Sequence, residues 1–234
     1  GIVNDNIFNR VLVTDANGVV HWRNAGSILG TDDWHVDGNF GTDPNVNFIG
    51  TRDNTPLSFR LNDTWAGRWD HIENNYFIGL TAGFNTTPGT GPLGRNNIGF
   101  GRSALFNNTS GYFNVALGNN VLRDNTTGFA NVGVGQNVLI SNTTGTGNIG
   151  LGNSALFTNT TGGANIALGS DALRFNTSGG SNIGIGNQTL RSNTIGENNV
   201  GIGELALWNN TTGNSNIGIG LRALYENTTG INNI

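Results

Sequence analysis

From Asn97 onward, apolar and polar positions recur with a fixed period of 17 residues. Each unit begins with Asn, followed by two apolar residues that flank a Gly or Ala, as in Ile98-Gly99-Phe100. Apolar residues two apart lie on one face of a β-strand. The pattern therefore predicts one short strand per unit, whose small central residue lets another backbone approach the opposite face closely.

Eight complete units and the first two residues of a ninth follow one another without insertion or deletion. When each unit is numbered from its first Asn, six of the 17 repeat positions never vary: Asn at 1, Gly at 5, Leu at 9, Asn at 12, Thr at 13 and Gly at 15. The Asn-Thr-Thr-Gly stretch is typical of a turn, because Asn bonds to nearby backbone and Gly adopts positive φ. The density of Gly disfavours a helix.

One unit is expected to bury only three or four apolar side chains, so it needs neighbours stacked on it. We therefore predict an all-β fold, a parallel β-solenoid or β-roll of 17-residue coils over residues 97–234. At about 4.8 Å per coil, eight coils would form a rod of about 38 Å.

Two invariant columns are predicted to form structural ladders of identical stacked side chains. The asparagines at position 12 would form one ladder at a corner, beside the threonines at position 13: Asn108, Asn125, Asn142, Asn159, Asn176, Asn193, Asn210 and Asn227. The leucines at position 9 would form the other: Leu105, Leu122, Leu139, Leu156, Leu173, Leu190, Leu207 and Leu224.

Residues 1–74 lack the repeat and are predicted to form a small, irregular β-rich region. Residues 11–22 are typical of two strands about an Asn17-Gly18 turn. Further strands are predicted at 34–40, 46–49, 57–61 and 65–69. Residues 75–96 resemble a degenerate first coil with a short insertion near Pro92, so we place the boundary near residue 74.

Composition narrows the possible functions. The chain has 38 Gly and 41 Asn, its charged residues are only 11%, and its net charge is −4. All 11 basic residues are Arg, without the basic stripe of a nucleic-acid-binding protein. The lack of Cys excludes disulfides, thiolate-bound zinc and a thiol nucleophile, and fits export weakly.

No apolar run approaches the length of a membrane span, and no signal peptide opens the chain. The sequence begins at Gly1 without Met and stops at Ile234 within a repeat, so we expect an internal segment or a processed product.

Two motifs resemble known fibre proteins. The run NTTGTGNIGLGNSALFTNTTGGANIALG at 142–169 resembles repeats of bacterial and phage fibres, and its NIALG units are similar to those of trimeric autotransporter adhesin heads. The segment TDDWHVDGNFGTDPNVNFIGTRDNTPLSFRLNDTWAGRW at 31–69 resembles one that precedes such repeats in large surface proteins of Bacteroidota. The resemblance implies an elongated, oligomeric, extracellular fibre or adhesin segment, with three copies as the family expectation, and implies no chemistry.

The variable position 10, after the invariant Leu, supplies the candidate contact residues. Large aromatic or Arg side chains dominate this column, together with Ile140: Phe106, Arg123, Phe157, Arg174, Arg191, Trp208 and Tyr225. These residue types are enriched at protein interfaces. We expect a seam against a neighbouring protomer or a partner, and the alternative is a solvated ladder that covers its own coils.

Candidate chemistry is sparse, and we predict no catalytic, cofactor or metal residue. His21, His35 and His71 are scattered. His35 lies among Asp32, Asp33 and Asp37, which could form a metal or acid–base cluster, but acidic residues scattered in a polar loop are the commoner case. The oxygens of Asp15, Asn17, Asp37, Asn39 and Asp43 could be offered to calcium, but they lack a twelve-residue loop pattern. Gly-x-Gly units are repeat turns without a following helix, so they do not indicate a nucleotide site.

Three classes of function are compared. The leading hypothesis is a secreted or cell-surface homo-oligomeric rod, a trimer or a larger ring, that serves attachment to cells or surfaces; the shaft of a virion tail fibre is its variant. The second is a solenoid that binds a glycan or ice through an Asn/Thr face. The third, a glycan-cleaving enzyme, needs paired carboxylates, whereas the acids of 97–234 lie in four different columns.

Overall fold

The computed structural model describes residues 10–14, 20–24, 49–87, 91 and 93–234. The chain divides into two compact units, Gly1–Arg52 and Asp53–Ile234. In the first unit, β1 (Arg10–Thr14) and β2 (Val20–Asn24) form the predicted antiparallel pair. The Asn17-Gly18 turn, the strand predicted at 34–40 and nearly all of the one at 46–49 lie outside the described residues.

Within the described residues, the second unit contains one sheet of eleven strands in sequence order. Its strands are β3 (Leu57–Leu61), β4 (Thr64–Asp70), β5 (Asn75–Ile78), β6 (Ile98–Phe100), β7 (Val115–Leu117), β8 (Val132–Val134), β9 (Ile149–Leu151), β10 (Ile166–Leu168), β11 (Ile183–Ile185), β12 (Val200–Ile202) and β13 (Ile217–Ile219). The strands β3, β4 and β5 pair antiparallel, and from β5 onward every neighbour is parallel. The predicted boundary near residue 74 lies within this sheet.

The parallel part confirms the predicted solenoid. Ile98 pairs with Val115, and each later rung repeats this register after 17 residues, giving seven turns between β6 and β13. The coil before β6 is longer, because Tyr76 of β5 pairs with Ile98, 22 residues later. Between strands, turn backbone also bonds from coil to coil, as when Leu156 N–H donates to Ala172 O at 3.0 Å.

The interior is filled by few side chains. The leucines of position 9 are fully buried from Leu105 to Leu207, with Leu224 packed against them, so the predicted Leu ladder is confirmed. Each of these leucines adopts a left-handed φ between 51° and 54°. This conformation costs an L residue about 1–2 kcal/mol, which burial of a Leu side chain, at about 1.5–3 kcal/mol, offsets.

The orientation of the short strands corrects the sequence-based picture. Positions 2 and 4 point outward and keep much of their surface exposed, whereas the small residue at position 3 faces the core, as at the fully buried Ala116 and Ala167. The reason is space: a Cβ on Gly150 would lie 2.5 Å from Val138 Cγ1 of the preceding coil. A coil of this size therefore has no room inside for the two large residues of its strand.

Two Asn ladders run through the interior, and the one predicted at position 12 is confirmed. Asn159 donates to Asn142 Oδ1 at 2.8 Å and to Gly162 O at 3.0 Å. The asparagines of position 1 form a second ladder: Asn148 donates its backbone N–H to Asn131 Oδ1 at 3.0 Å and its side-chain amide to Gly162 O at 2.8 Å. Both ladders thus bond the same Gly carbonyl.

The β3–β4 hairpin lies at the amino-terminal end of the sheet. The Trp65 indole N–H donates to Ala82 O at 2.8 Å, and its ring meets Phe84 edge-on with the centroids 6.1 Å apart. Phe84 stacks in turn on Phe106 of the first complete repeat at 5.9 Å. The hairpin therefore packs against the longer coil that precedes β6 and covers this end of the stack.

Candidate interaction surface

The outward side of β6–β13 is a continuous apolar surface, which we call the outer sheet face: repeat positions 2 and 4 of the eight strands. All sixteen of its residues are Ile, Val, Leu or Phe. Nine of them are 36–67% exposed, among them Phe100, Leu151 and Ile219, and the others are half-buried. Monomeric proteins seldom expose an apolar surface that extends along a whole domain.

The same surface continues toward the amino terminus. Tyr76 and Ile78 of β5 are 38% and 39% exposed, and Trp69 of β4 is 44% exposed. Trp69, Tyr76, Ile98 and Phe100 line a shallow hollow of about 340 Å³. A neighbouring hollow of about 360 Å³ is lined by Phe59, Leu61, Ala66, Trp69, Ile78, Gly79 and Leu80.

Polar side chains border one side of the outer sheet face. Position 6 follows the strand and the invariant Gly, and its residues are exposed in every coil. Seven of its eight residues are polar: Arg102, Asn119, Gln136, Asn153, Ser170, Asn187 and Glu204. An apolar centre with a polar border is the usual anatomy of a protein interface.

Several of the residues predicted as a seam, those of position 10, contact one another within this chain. Trp208 and Tyr225 stack with centroids 5.5 Å apart, and the guanidinium of Arg191 lies 5.7 Å from the Trp208 ring. The guanidinium of Arg174 lies 5.1 Å from the Phe157 ring. All of them are half-buried, and Ile140 in the same column is buried. The seam between protomers stays a prediction. The same contacts are expected if this column only covers the coils of its own chain.

One Arg of this column forms a salt bridge with the next residue instead of contacting a ring. Arg123 donates to Asp124 through Nε at 2.9 Å and through Nη2 at 2.6 Å. This hydrogen bonding holds the pKa of the Asp124 carboxyl below its usual value, against the opposing effect of burial, and raises the pKa of Arg123. Asp124 also accepts a bond from Asn107, so the pair is structural.

The described residues contain no group of three or more His, Cys, Asp or Glu placed to hold a metal ion. Asp171 pairs with Arg174, and His71 bonds Asn54 Oδ1 through Nε2 at 2.9 Å. The other candidate chemical residues, including the His21 side chain, lie outside what the structure describes: Asp15, Asn17, Asp32, Asp33, His35, Asp37, Asn39 and Asp43. Within the described part of the chain, no helix is long and apolar enough to span a bilayer.

The Asn/Thr turn offers fewer free groups than its sequence implies. The Asn at position 12 is buried in every coil but the last, and its amide is already bonded in each coil of the ladder. The Thr hydroxyl at position 13 donates to the backbone of the next coil, as Thr143 does to Thr160 O at 3.0 Å. At position 14, six coils expose a Thr or Ser hydroxyl, as at Thr144 and Thr161, whereas Ser110 is half-buried and Ile195 has no hydroxyl.

Comparison of the chain with models of known protein families, with curated proteins and with solved structures finds no match. The assignment of a function therefore rests on the geometry of the solenoid. The outer sheet face was missed because each unit was expected to bury three or four apolar side chains, a number that includes those of its strand. The signal for it was present in the small residue that alternates with two large ones in every unit.

Proposed function

We propose that this chain is a structural segment of an extracellular fibre or adhesin, a rigid rod that serves attachment by holding a binding region away from a cell or particle. The observation that carries the proposal is the unbroken register from β5 to β13, along which every coil bonds to the next. A rod of this kind gains length in fixed increments, because each repeat contacts only its neighbours.

The interior supports a mechanical role. Each coil adds one Asn to each of two ladders and one Leu to the core, so every added repeat brings the same set of bonds. The polar groups inside are paired with one another, and they specify the register of stacking because a shifted coil would leave them unbonded. The same bonds thus support a rigid rod along the whole repeat region.

The proposal is tested by changing the number of repeats. Deletion of residues 148–198 removes three complete units and should shorten the particle by about 14 Å in small-angle X-ray scattering. The shortened chain should keep its resistance to protease, because the coils on either side of the deletion are equivalent. As a control, deletion of residues 148–190 is out of phase with the repeat: it leaves the partial unit 191–198 between complete coils and should create a protease-sensitive site there.

Loss of protease resistance in the variant with the in-phase deletion would contradict the proposal of a rod. Binding assays address the alternative of a solenoid that holds a ligand, since position 14 exposes a Thr or Ser in six of its eight coils. Specific binding on a glycan array, or thermal hysteresis of a solution of the protein, would favour that alternative. A rod without either activity agrees with the structural proposal.

A further inference from the structure

We infer that the outer sheet face is the surface through which copies of this chain pack side by side, with each face covered by the same face of another copy. The inference deepens the proposed function, because it names the surface that joins rods into a fibre. It also replaces position 10 with positions 2 and 4 as the main contact between protomers.

The size of the surface supports this occupant. At roughly 40–50 Å² of remaining exposed area per side chain, the sixteen residues present about 700 Å² per copy, close to the roughly 800 Å² per partner of a standard interface. The extension through Trp69, Tyr76 and Ile78 adds to this area. The face by itself is therefore large enough for a specific, stable contact.

The periodicity of the surface points to another copy rather than to an unrelated partner. The face repeats its two apolar columns in one register through eight rungs. A second copy carries the same spacing between rungs, so its side chains fit between these along the whole length, as in paired sheets with dry interfaces. A partner without this repeat would match only a part of the face.

Charge favours the same occupant. Neither column of the face contains a charged residue, so two identical faces meet without like-charge repulsion. The position 10 column, by contrast, carries Arg123, Arg174 and Arg191, whose guanidinium groups already contact Asp124 or aromatic rings of their own chain. Burial against an identical column would bring these cations together.

The test measures the mass of the whole chain by sedimentation velocity at micromolar concentration. Because two like faces pair with each other, the wild-type chain should sediment as a dimer of its 24.6 kDa protomer. The double variant Leu151→Lys with Ile185→Lys places two charges at the centre of the outer sheet face, at side chains that are 50% and 37% exposed. It should be monomeric while its circular dichroism and protease resistance match those of the wild type.

A matched control adds the same charge elsewhere. Thr144→Lys with Ser178→Lys changes two exposed residues of position 14, two coils apart like the first pair, and should leave the oligomer intact. A third variant, Trp208→Ser with Tyr225→Ser, tests the position 10 seam. It should also leave the mass unchanged, because that column packs within its own chain.

Two outcomes would overturn the inference. One is a wild-type chain that is monomeric at micromolar concentration; the other is an oligomer that survives the two lysines of the outer sheet face. Loss of the oligomer in the third variant alone would assign the contact to position 10. A monomeric chain that still passes the repeat-deletion test would leave the proposed rod standing, so the two proposals fail separately.

Discussion

At the residue scale, the asparagines of this chain act as internal connectors. Asn159 illustrates this: its amide donates to Asn142 Oδ1 and Gly162 O, and its own Oδ1 accepts from Asn176 at 2.8 Å. A side chain that is wholly buried and bonded in this way has one donor end and one acceptor end, each facing a fixed partner. The arrangement accounts for the strict use of Asn, since neither Asp nor Ser offers the same groups.

This pairing predicts a pH-dependent cost for Asn159→Asp. The new carboxylate would face two oxygens, so burial and repulsion would raise its pKa in the folded state above the value of about 3.9 in the unfolded chain. The folded variant then binds more protons than the unfolded one above that pH, and its stability falls as the pH rises. We expect urea unfolding to show a larger loss at pH 7 than at pH 4.

Asn159→Ala is the control for that experiment. It removes the same bonds without adding a titrating group, so its cost of about 1–3 kcal/mol should be the same at both pH values. A loss for the Asp variant that is equal at pH 4 and pH 7 would contradict the burial of this ladder.

At the scale of the strand and its turn, the core depends on complementary volumes in adjacent coils. Position 3 is Gly in each coil that follows Val121, Val138 or Thr189 at position 8. After an Ala at position 8 it is Ala in two coils and Gly in the other two, at Gly184 and Gly218. The geometry explains this: a Cβ on Gly201 would lie 2.6 Å from Thr189 Cγ2. Close-packed interiors tolerate one large residue at such a contact but not two.

The matched pair Gly150→Ala and Gly184→Ala tests this rule. A Cβ on Gly150 meets Val138 Cγ1 at 2.5 Å, whereas one on Gly184 has its nearest neighbour, Leu173 Cγ, at 3.5 Å. The first change should destabilise by about 1–3 kcal/mol. The second should be neutral or stabilising by about 0.4–1 kcal/mol, because Ala restricts the unfolded chain.

Chemical denaturation measures both changes in the same background. Adding Val138→Ala to Gly150→Ala recreates the natural Ala155/Ala167 combination and should recover part of the loss. Equal costs for the two glycines, or no recovery in the double variant, would show that volume at this contact does not set the choice of residue.

At the scale of the whole molecule, stability is distributed along a one-dimensional stack. An interior coil bonds to neighbours on both sides, whereas in the last complete coil Asn227 is only half-buried and bonds to one neighbouring coil. In such arrays stability is the sum of repeat and nearest-neighbour terms. A defect should therefore cost more in the middle of the stack than at its end.

The pair Asn159→Ala and Asn227→Ala tests this distribution. Asn159 has ladder partners in the coils on both sides, and Asn227 has one, Asn210 Oδ1, at 2.9 Å. In thermal unfolding, the midpoint temperature should fall further for the central change. In hydrogen exchange, the terminal change should lower protection only in the last coils. Equal losses would indicate a single cooperative unit without end effects.

The sequence by itself determined the repeat, the all-β solenoid, the Leu ladder and the first Asn ladder. It did so because a strict period forces identical side chains into stacked columns, whatever the shape of the coil. Strands 57–61 and 65–69 were also predicted at or within one residue of their observed bounds. Local pattern was sufficient for these features, since alternation and turn residues act over a few positions.

Tertiary structure alone decided which way the repeat strand faces and what joins the coils inside. Alternation specifies two faces of a strand but not which one is buried. That choice depended on the space inside the coil. Leu at position 9 and its neighbour at position 8 fill most of this space, so that only Gly or Ala fits at position 3. The exposed apolar face, and the Gly carbonyl shared by both Asn ladders, follow from this packing.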